Sequence, residues 1–114
     1  MPMEWKLSTI IEGADMSEDR IAPVHPGEIL LVDFLEPMGI SQYRLAQSIS
    51  VPAQRIGDIV HGRRAITADT ALRLGRFFNM EPQFWMNLQA RYDLDTATDE
   101  LADRLDQEVR PLVA

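Results

Sequence analysis

The sequence contains no cysteine, only two histidines and no long apolar run within its 114 residues. Without cysteine there is no disulfide, no thiol catalysis and no cysteine-based zinc finger, and such composition is typical of a reducing, cytoplasmic environment. His25 and His61 are far apart and form no ligand pattern with a carboxylate, so we expect no metal and no other cofactor. The short apolar runs exclude a membrane span, and the N-terminus lacks the features of a secretory signal.

Patterns typical of catalysis are also missing. The acidic pairs Asp93/Asp95 and Asp103/Asp106 lie in charge-rich stretches, without the apolar pocket that a general acid needs. No glycine-rich loop that could surround a phosphate is present. We therefore expect that the protein is not an enzyme.

Positive charge is scarce overall and unevenly placed. The chain has 11 Lys and Arg against 18 Asp and Glu, and this net charge of −7 argues, taken alone, against a nucleic-acid partner. Residues 1–40 carry −6 and residues 77–114 carry −5, whereas residues 41–76 carry +4. The cations of this middle third are all arginines, which pair well with phosphate and guanine: Arg44, Arg55, Arg63, Arg64, Arg73 and Arg76. An unevenly charged, solvated surface is the alternative interpretation.

Apolar spacing and helix-terminal residues predict five helices and no central strand. The first begins at Pro26 and ends near Glu36, the fourth is capped by Thr67, and the fifth begins at Pro82. The second and third, at 42–49 and 52–60, are short and joined by a tight turn, the pattern of a helix-turn-helix. Small Ala46 stands where the two would cross, among the apolar residues that lock them together: Leu45, Ile49, Val51, Ile56 and Ile59.

Short segments spread over residues 25–94 form a specific combination. They are HPGE at 25–28, FLEP at 34–37, GIS at 39–41, RI at 55–56, IxHGRR at 59–64, ITADTALRL at 66–74, FWxNLQ at 84–89 and YDL at 92–94, where x is any residue. In combination they resemble the HigA/VapI branch of the phage-repressor-like XRE regulators, the addiction-module antidotes. The resemblance covers about two-thirds of the chain.

The resemblance implies an all-α, five-helix lambda-repressor-like domain that forms a homodimer, binds double-stranded operator DNA and represses its own operon. Many such proteins also neutralise a basic RelE-like ribonuclease toxin, HigB, and some stand alone without a toxin. The sequence departs from the family pattern at Ser50, where glycine is usual, and at Glu81, where a serine-like cap is usual. Serine at that turn would be strained at positive φ.

The chain is expected to have three parts. Residues 1–24 form a partly flexible extension, residues 25–94 the helix-turn-helix domain, and residues 95–114 an acidic amphipathic C-terminal helix. Alternating residues in the extension could form a short strand: Met3, Trp5 and Leu7.

The third helix supplies the residues predicted to contact bases. With Ile56 facing inward, its outward side carries Ala53, Gln54, Arg55 and Asp58. Gln54 could bridge adenine, Arg55 could bridge guanine, and Asp58 could accept from cytosine. An ordinary polar helix face is the alternative.

Residues around this helix are predicted to contact phosphates. Helix N-termini offer N–H groups to phosphate, and arginines after the third helix point toward the DNA backbone. The predicted residues are Ser41, Gln42, Tyr43, Arg44, His61, Arg63, Arg64 and Thr67. Ser41 could equally be a helix cap, and Thr67 is expected to be a cap first. His61, which precedes a glycine at the end of the third helix, could equally have a structural role.

An apolar stripe near the C-terminus is predicted to join two copies of the chain. It consists of Phe84, Trp85, Leu88, Leu101 and Leu105. The alternative is that these residues only close the core.

The leading hypothesis is therefore a sequence-specific autorepressor that serves as the antitoxin of a HigB/RelE-like toxin–antitoxin module. One alternative is a stand-alone XRE-type regulator without a toxin. Another is a protein-binding antidote that has lost DNA binding, an alternative favoured by Asp58 and the overall negative charge.

Overall fold

Every regular element in the described part of the chain, residues 22–113, is a helix in the computed structural model. Helix α1 runs through three consecutive segments, Pro26–Ile29, Leu30–Leu35 and Glu36–Met38, and the middle one has π-helical pairing. The others are α2 (Gln42–Ile49), α3 (Ala53–Val60), α4 (Ala68–Phe78) and α5 (Gln83–Glu108). The predicted all-α class is confirmed, whereas the predicted strand at Met3, Trp5 and Leu7 lies outside the described residues.

The start of α1 is capped and packs closely on the end of α3. The Gly27 N–H donates to Nδ1 of His25 over 2.9 Å, and Pro26 occupies the first turn, where no N–H is needed. A Cβ at Gly27 would lie 1.7 Å from the carbonyl oxygen of Ile59, so only glycine permits this approach. The contact ties the orientation of α3 to α1.

Helix α1 ends two residues beyond the predicted end at Glu36. The Glu36 N–H donates to the carbonyl of Leu31, five residues back, which makes a wider turn than in an α-helix. That turn precedes Pro37, whose ring would clash with the carbonyl four residues back in a regular α-helix. The helix continues to Met38 and stops at Gly39, where φ is 66°.

The turn between α2 and α3 contains a strained residue. Ser50 has a φ of 58° and a ψ of 50°, in the left-handed region that favours glycine. The Val51 N–H donates to the carbonyl of Ala46 over 3.0 Å and closes the end of α2. Pro52 then caps α3 in an extended conformation. The strain expected for serine at this position is therefore present.

The core lies between the helix-turn-helix unit, α2 to α3, and the helices around it. Ala46 is 1% exposed, which permits the close crossing of α2 and α3. Each large aliphatic side chain in the core contributes roughly 1.5–3 kcal/mol relative to exposure. These buried aliphatic residues are Leu30, Leu35, Leu45, Ile49, Ile56, Ile59, Ile66 and Leu74. Val51, also predicted to lock the two helices, is half-buried against them.

Trp85 lies wholly inside this core, with an exposure of 0%. The ring centroids of Phe34 and Phe84 are each 5.0 Å from its own, and that of Phe78 is 6.2 Å away. The assignment of Trp85 to a surface between two copies is therefore wrong, because neighbouring aromatic rings enclose it. Within the described residues its Nε1 has no hydrogen-bond partner, so packing alone holds the indole.

Helix α5 is continuous, whereas a separate acidic helix was expected after residue 94. The two segments form one helix because no glycine or proline lies between Pro82 and Pro111 to interrupt it. The division of the chain into domains at residue 94 stays a prediction. From Thr98 onward the helix is exposed, except at half-buried Leu101. As the departure at Glu81 predicts, α5 begins without a side-chain cap.

Replacing Ser50 by glycine is expected to raise the free energy of unfolding by about 0.5–1 kcal/mol, because glycine relieves the left-handed strain. Chemical denaturation measures this difference. Ser48→Gly is the matched control, since Ser48 lies within α2 and glycine there should lower stability by about 0.5 kcal/mol. A loss of stability in both variants would contradict the strain at Ser50.

Candidate nucleic-acid interface

The outward side of α3 brings together the four residues predicted to contact bases. Ala53 and Gln54 are exposed, while the side chains of Arg55 and Asp58 are 26% and 22% exposed. The opposite side of the helix is buried through Ile56. The helix therefore presents a mixed polar surface that two arginine–carboxylate pairs help to order.

Arg55 is held by a carboxylate from α4. Its Nη1 donates to Oδ2 of Asp69 over 3.0 Å. The Nε of Arg73, one turn further along α4, donates to both oxygens of Asp69 at 3.2 and 3.1 Å. Nη1 of Arg73 also donates to the carbonyl of Ile49 over 2.9 Å, at the end of α2. This cluster, Arg55 with Asp69, Arg73 and the Ile49 carbonyl, connects all three helices around the turn.

The same hydrogen bonds lower the pKa of Asp69. The bond from Arg73 is the largest cause, followed by the bond from Arg55. The carboxylate therefore stays charged at neutral pH, and the cluster persists there.

Asp58 is paired as well. The Nη2 of Arg63 donates to its Oδ1 over 3.1 Å. Two residues expected to contact DNA separately, one at a base and one at a phosphate, therefore contact each other in the free chain. The pair offsets the repulsion that a lone carboxylate on this side would exert on phosphate.

The N-terminus of α2 lies beside α3 and carries exposed polar groups. The Arg44 N–H donates to Oγ of Ser41 over 3.0 Å, so Ser41 is a helix cap. Tyr43 and Arg44 are exposed, and Gln42 is half-buried. The end of α2 that faces away from the turn therefore offers a positive dipole, a phenol and a guanidinium.

The loop after α3 places its cations at the surface. Nδ1 of His61 donates to the carbonyl of Gly57 over 2.7 Å, which closes the end of α3. Arg64 is exposed, and Oγ1 of Thr67 accepts from the Thr70 N–H over 3.4 Å. The predicted caps at Ser41 and Thr67 are both present. Their contact with phosphate stays a prediction.

His25 anchors this loop, a role that its position in the sequence does not reveal. Besides capping α1, its ring hydrogen-bonds the backbone of Arg64 and meets Tyr92 edge-on at 4.9 Å. Burial lowers the pKa of His25, although the charge of Asp93 and the bond to Arg64 oppose the shift. The neutral ring is what the cap requires, because Nδ1 must accept a hydrogen bond.

Gln89, on α5, supports the same loop. The sequence patterns did not predict this role. Its Oε1 accepts from the buried Ile66 N–H over 2.8 Å, and its Nε2 donates to Asp93 over 2.9 Å. Gln89 is only 6% exposed. The polar amide thus satisfies a backbone donor that would otherwise be buried without a partner.

A metal centre and a membrane span are both absent from residues 22–113. Within them, no group of three or more His, Asp or Glu side chains could hold a metal ion. Among the helices of this range, none combines the length and apolar character needed to cross a membrane.

Comparison with known proteins identifies the family. The helix-turn-helix family model HTH_3 matches residues 31–85. Over 83 residues the chain is 46% identical to virulence-associated protein I of Dichelobacter nodosus, covering 73% of this chain and 77% of that protein. The chain belongs to the HTH_3 helix-turn-helix family. The predicted membership in the HigA/VapI-type XRE group is thereby confirmed.

Solved structures of HTH_3 relatives share the fold. The Pseudomonas aeruginosa antitoxin HigA, solved with the higBA promoter, has a TM-score of 0.77 and 46% identity, covering 80% of this chain and 99% of that chain. The antitoxin GraA in complex with its operator has a TM-score of 0.77 and 39% identity, covering 82% of this chain and 95% of that chain. The predicted five-helix lambda-repressor-like fold is confirmed. The prediction that the chain is not an enzyme agrees with these relatives, which are antitoxins.

Acidification is expected to destabilise the fold through His25. Because its folded pKa lies below the ordinary value of 6.5, the unfolded chain binds the proton more readily. The stabilisation is complete above the unfolded-state pKa of 6.5. It is lost as the pH falls through the lower pKa of His25 in the folded state. Thermal melts between about pH 7.5 and 5 should show a falling Tm in the wild type.

The variant His25→Asn keeps a capping oxygen but cannot titrate, so its Tm should depend less on pH in this range. His61→Asn is the control, because it removes the other histidine of the sequence, which is exposed, and leaves His25 in place. A pH slope unchanged in His25→Asn would show that His25 is not the responsible group.

Proposed function

We propose that this HTH_3 protein is a cytoplasmic, sequence-specific DNA-binding repressor of its own operon and the antitoxin of a toxin–antitoxin module. The main support is the outward side of α3 in the helix-turn-helix unit. There, side chains able to contact bases lie between exposed arginines. The relatives support it, since HigA and GraA were solved with promoter or operator DNA.

Base reading is assigned to α3 in the major groove. Exposed Gln54 bridges an adenine, and Arg55 reads a guanine with the donors that Asp69 leaves free. Ala53 meets a thymine methyl group, and Asp58 accepts from a cytosine once Arg63 turns toward phosphate.

Phosphate binding is assigned to both sides of that helix. Tyr43 and Arg44, with the N–H groups behind the cap at Ser41, face one strand of the backbone. The remaining contacts come from the start of α2, the loop after α3 and the start of α4: Gln42, His61, Arg63, Arg64 and Thr67. Such contacts fix the register of the protein without reading sequence.

The net charge of −7 is compatible with this function because the charge is segregated. Residues 41–76 carry +4 and contain the whole proposed interface, whereas residues 95–108 of α5 are strongly acidic. An acidic surface attracts a basic protein, which supports a basic RelE-like ribonuclease as the toxin partner.

Dimer formation is assigned to α5 from Leu94 onward. Leu94 and Leu105 are 66% and 43% exposed, and Leu101 between them is half-buried. Spacings of seven and four residues place the three leucines on one side of the helix. Phe84 and Leu88 pack partly against the core, so they contribute to an interface only through their exposed edges.

Replacing Arg55 or Arg64 by alanine should separate base reading from phosphate binding. Arg55→Ala is expected to lower discrimination between the upstream promoter DNA and shuffled DNA by about 1–3 kcal/mol. Arg64→Ala should weaken both about equally and reduce the salt slope by about one. Fluorescence anisotropy at several salt concentrations measures both effects.

Arg104→Ala is the matched control, since it removes the same charge from distal α5, where Arg104 pairs with Glu108. Equal losses on promoter and shuffled DNA for Arg55→Ala would refute its base-reading role.

A wild-type chain that binds a co-expressed basic toxin but no DNA would point to a protein-binding antidote. Specific DNA binding without any toxin partner would point to a stand-alone regulator.

The double variant Leu101→Gln/Leu105→Gln is expected to weaken self-association at least about tenfold, because it removes apolar surface from the proposed interface. Sedimentation equilibrium measures the dissociation constant. Val32→Gln is the control, since Val32 is a 47% exposed apolar residue on α1. An unchanged dissociation constant in the double variant would place the interface elsewhere.

A further inference from the structure

Asp69 links α3, the helix proposed to contact bases, to α4. It lies in the first turn of α4 and accepts three hydrogen bonds from two arginines, one on α3 and one on its own helix. Its side chain is 55% exposed, so it lies at the surface beside the proposed DNA interface. No base or phosphate role was predicted for it from the sequence.

We propose that Asp69 is a positioning residue for base reading, which holds the guanidinium of Arg55 in its reading orientation before DNA arrives. The inference rests on the proposed DNA-binding function and deepens it. Asp69 itself touches no base. It acts through Arg55, and Arg73 fixes Asp69 in turn.

Both oxygens of the Asp69 carboxylate are held, although the side chain lies at the surface. Arg73 contacts both oxygens of Asp69 through Nε, and through Nη1 it is anchored on the Ile49 carbonyl at the end of α2. The positive end of the α4 dipole adds a favourable field at the first turn. Asp69 is thereby fixed relative to both helices of the helix-turn-helix unit.

The geometry leaves Arg55 able to read a base. A guanidinium has five N–H donors, and the bond to Asp69 uses one of them, from Nη1. The remaining donors can form the two-pronged contact with a guanine. Arginine also loses side-chain freedom on binding, and a side chain that is ordered beforehand loses less.

Simple electrostatics and positioning predict different effects on the ratio of the two affinities when this charge is removed. A carboxylate near the DNA backbone repels phosphate, so its neutralisation alone would tighten binding to every sequence. If Asp69 positions Arg55, the same change instead reduces the preference for the promoter over shuffled DNA. The ratio of the two affinities therefore separates the two roles.

The experiment measures anisotropy with two duplexes of equal length, the DNA upstream of the gene and a shuffled sequence of identical composition. Asp69→Asn is expected to lower the promoter-to-shuffled affinity ratio about two- to tenfold, while binding to shuffled DNA is unchanged or tighter. Asp69→Glu, which keeps the charge, should restore part of the ratio. In an Arg55→Ala background, Asp69→Asn should have no further effect on the ratio.

Asp95→Asn is the matched control, because Asp95 pairs with Arg91 at 3.3 Å on α5, in the same four-residue spacing as Asp69 and Arg73. Its affinity ratio should equal that of the wild type. Thermal melts of all variants check the fold, and a lower Tm with an unchanged ratio would mean that Asp69 is only structural.

Two further outcomes overturn the inference in distinguishable ways. If the wild type prefers the promoter and Asp69→Asn keeps or raises the ratio, positioning is refuted while the proposed function stands. If the wild type shows no preference for the promoter, the proposed function and the inference fail together.

Discussion

The structure depends on the close crossing of α2 and α3. A connection of three residues joins the helices, and it can be this short because Ser50 adopts a left-handed conformation and Ala46 leaves room at the crossing. The rest of the domain holds that crossing in place, with α1 against the end of α3 at Gly27 and α4 linked to the end of α2 through Arg73. Serine at the turn is in a strained conformation, yet the hydrogen bonds that close α2 are made.

The proposed DNA surface is ordered by its own acidic residues. Both carboxylates within the basic third of the sequence, Asp58 and Asp69, pair with arginines, so they restrain the cations and do not merely cancel them. Such pairs are weak at an exposed surface and contribute little to folding. Their importance lies in which orientations of the arginines they favour.

Local features could be predicted from the sequence, and long-range ones could not. The caps at Ser41 and Thr67 and the positive φ of Ser50 depend on neighbouring residues, and all three are present. The pair of Arg55 with Asp69 joins residues 14 positions apart, so only the packing of α4 beside α3 reveals it. The burial of Trp85 was misjudged for the same reason, because its aromatic neighbours come from three helices.

The length of α5 divides the molecule into regions of different local stability. The helix is about 40 Å long at 1.5 Å per residue, and its proximal half contributes Trp85 and Gln89 to the core, whereas the residues after Thr98 are largely exposed. An exposed helical segment opens with a free energy well below that of global unfolding. Among the helices of residues 22–113 in a single copy, amide hydrogen exchange and proteolytic nicking would therefore begin at this end, before the helix-turn-helix opens.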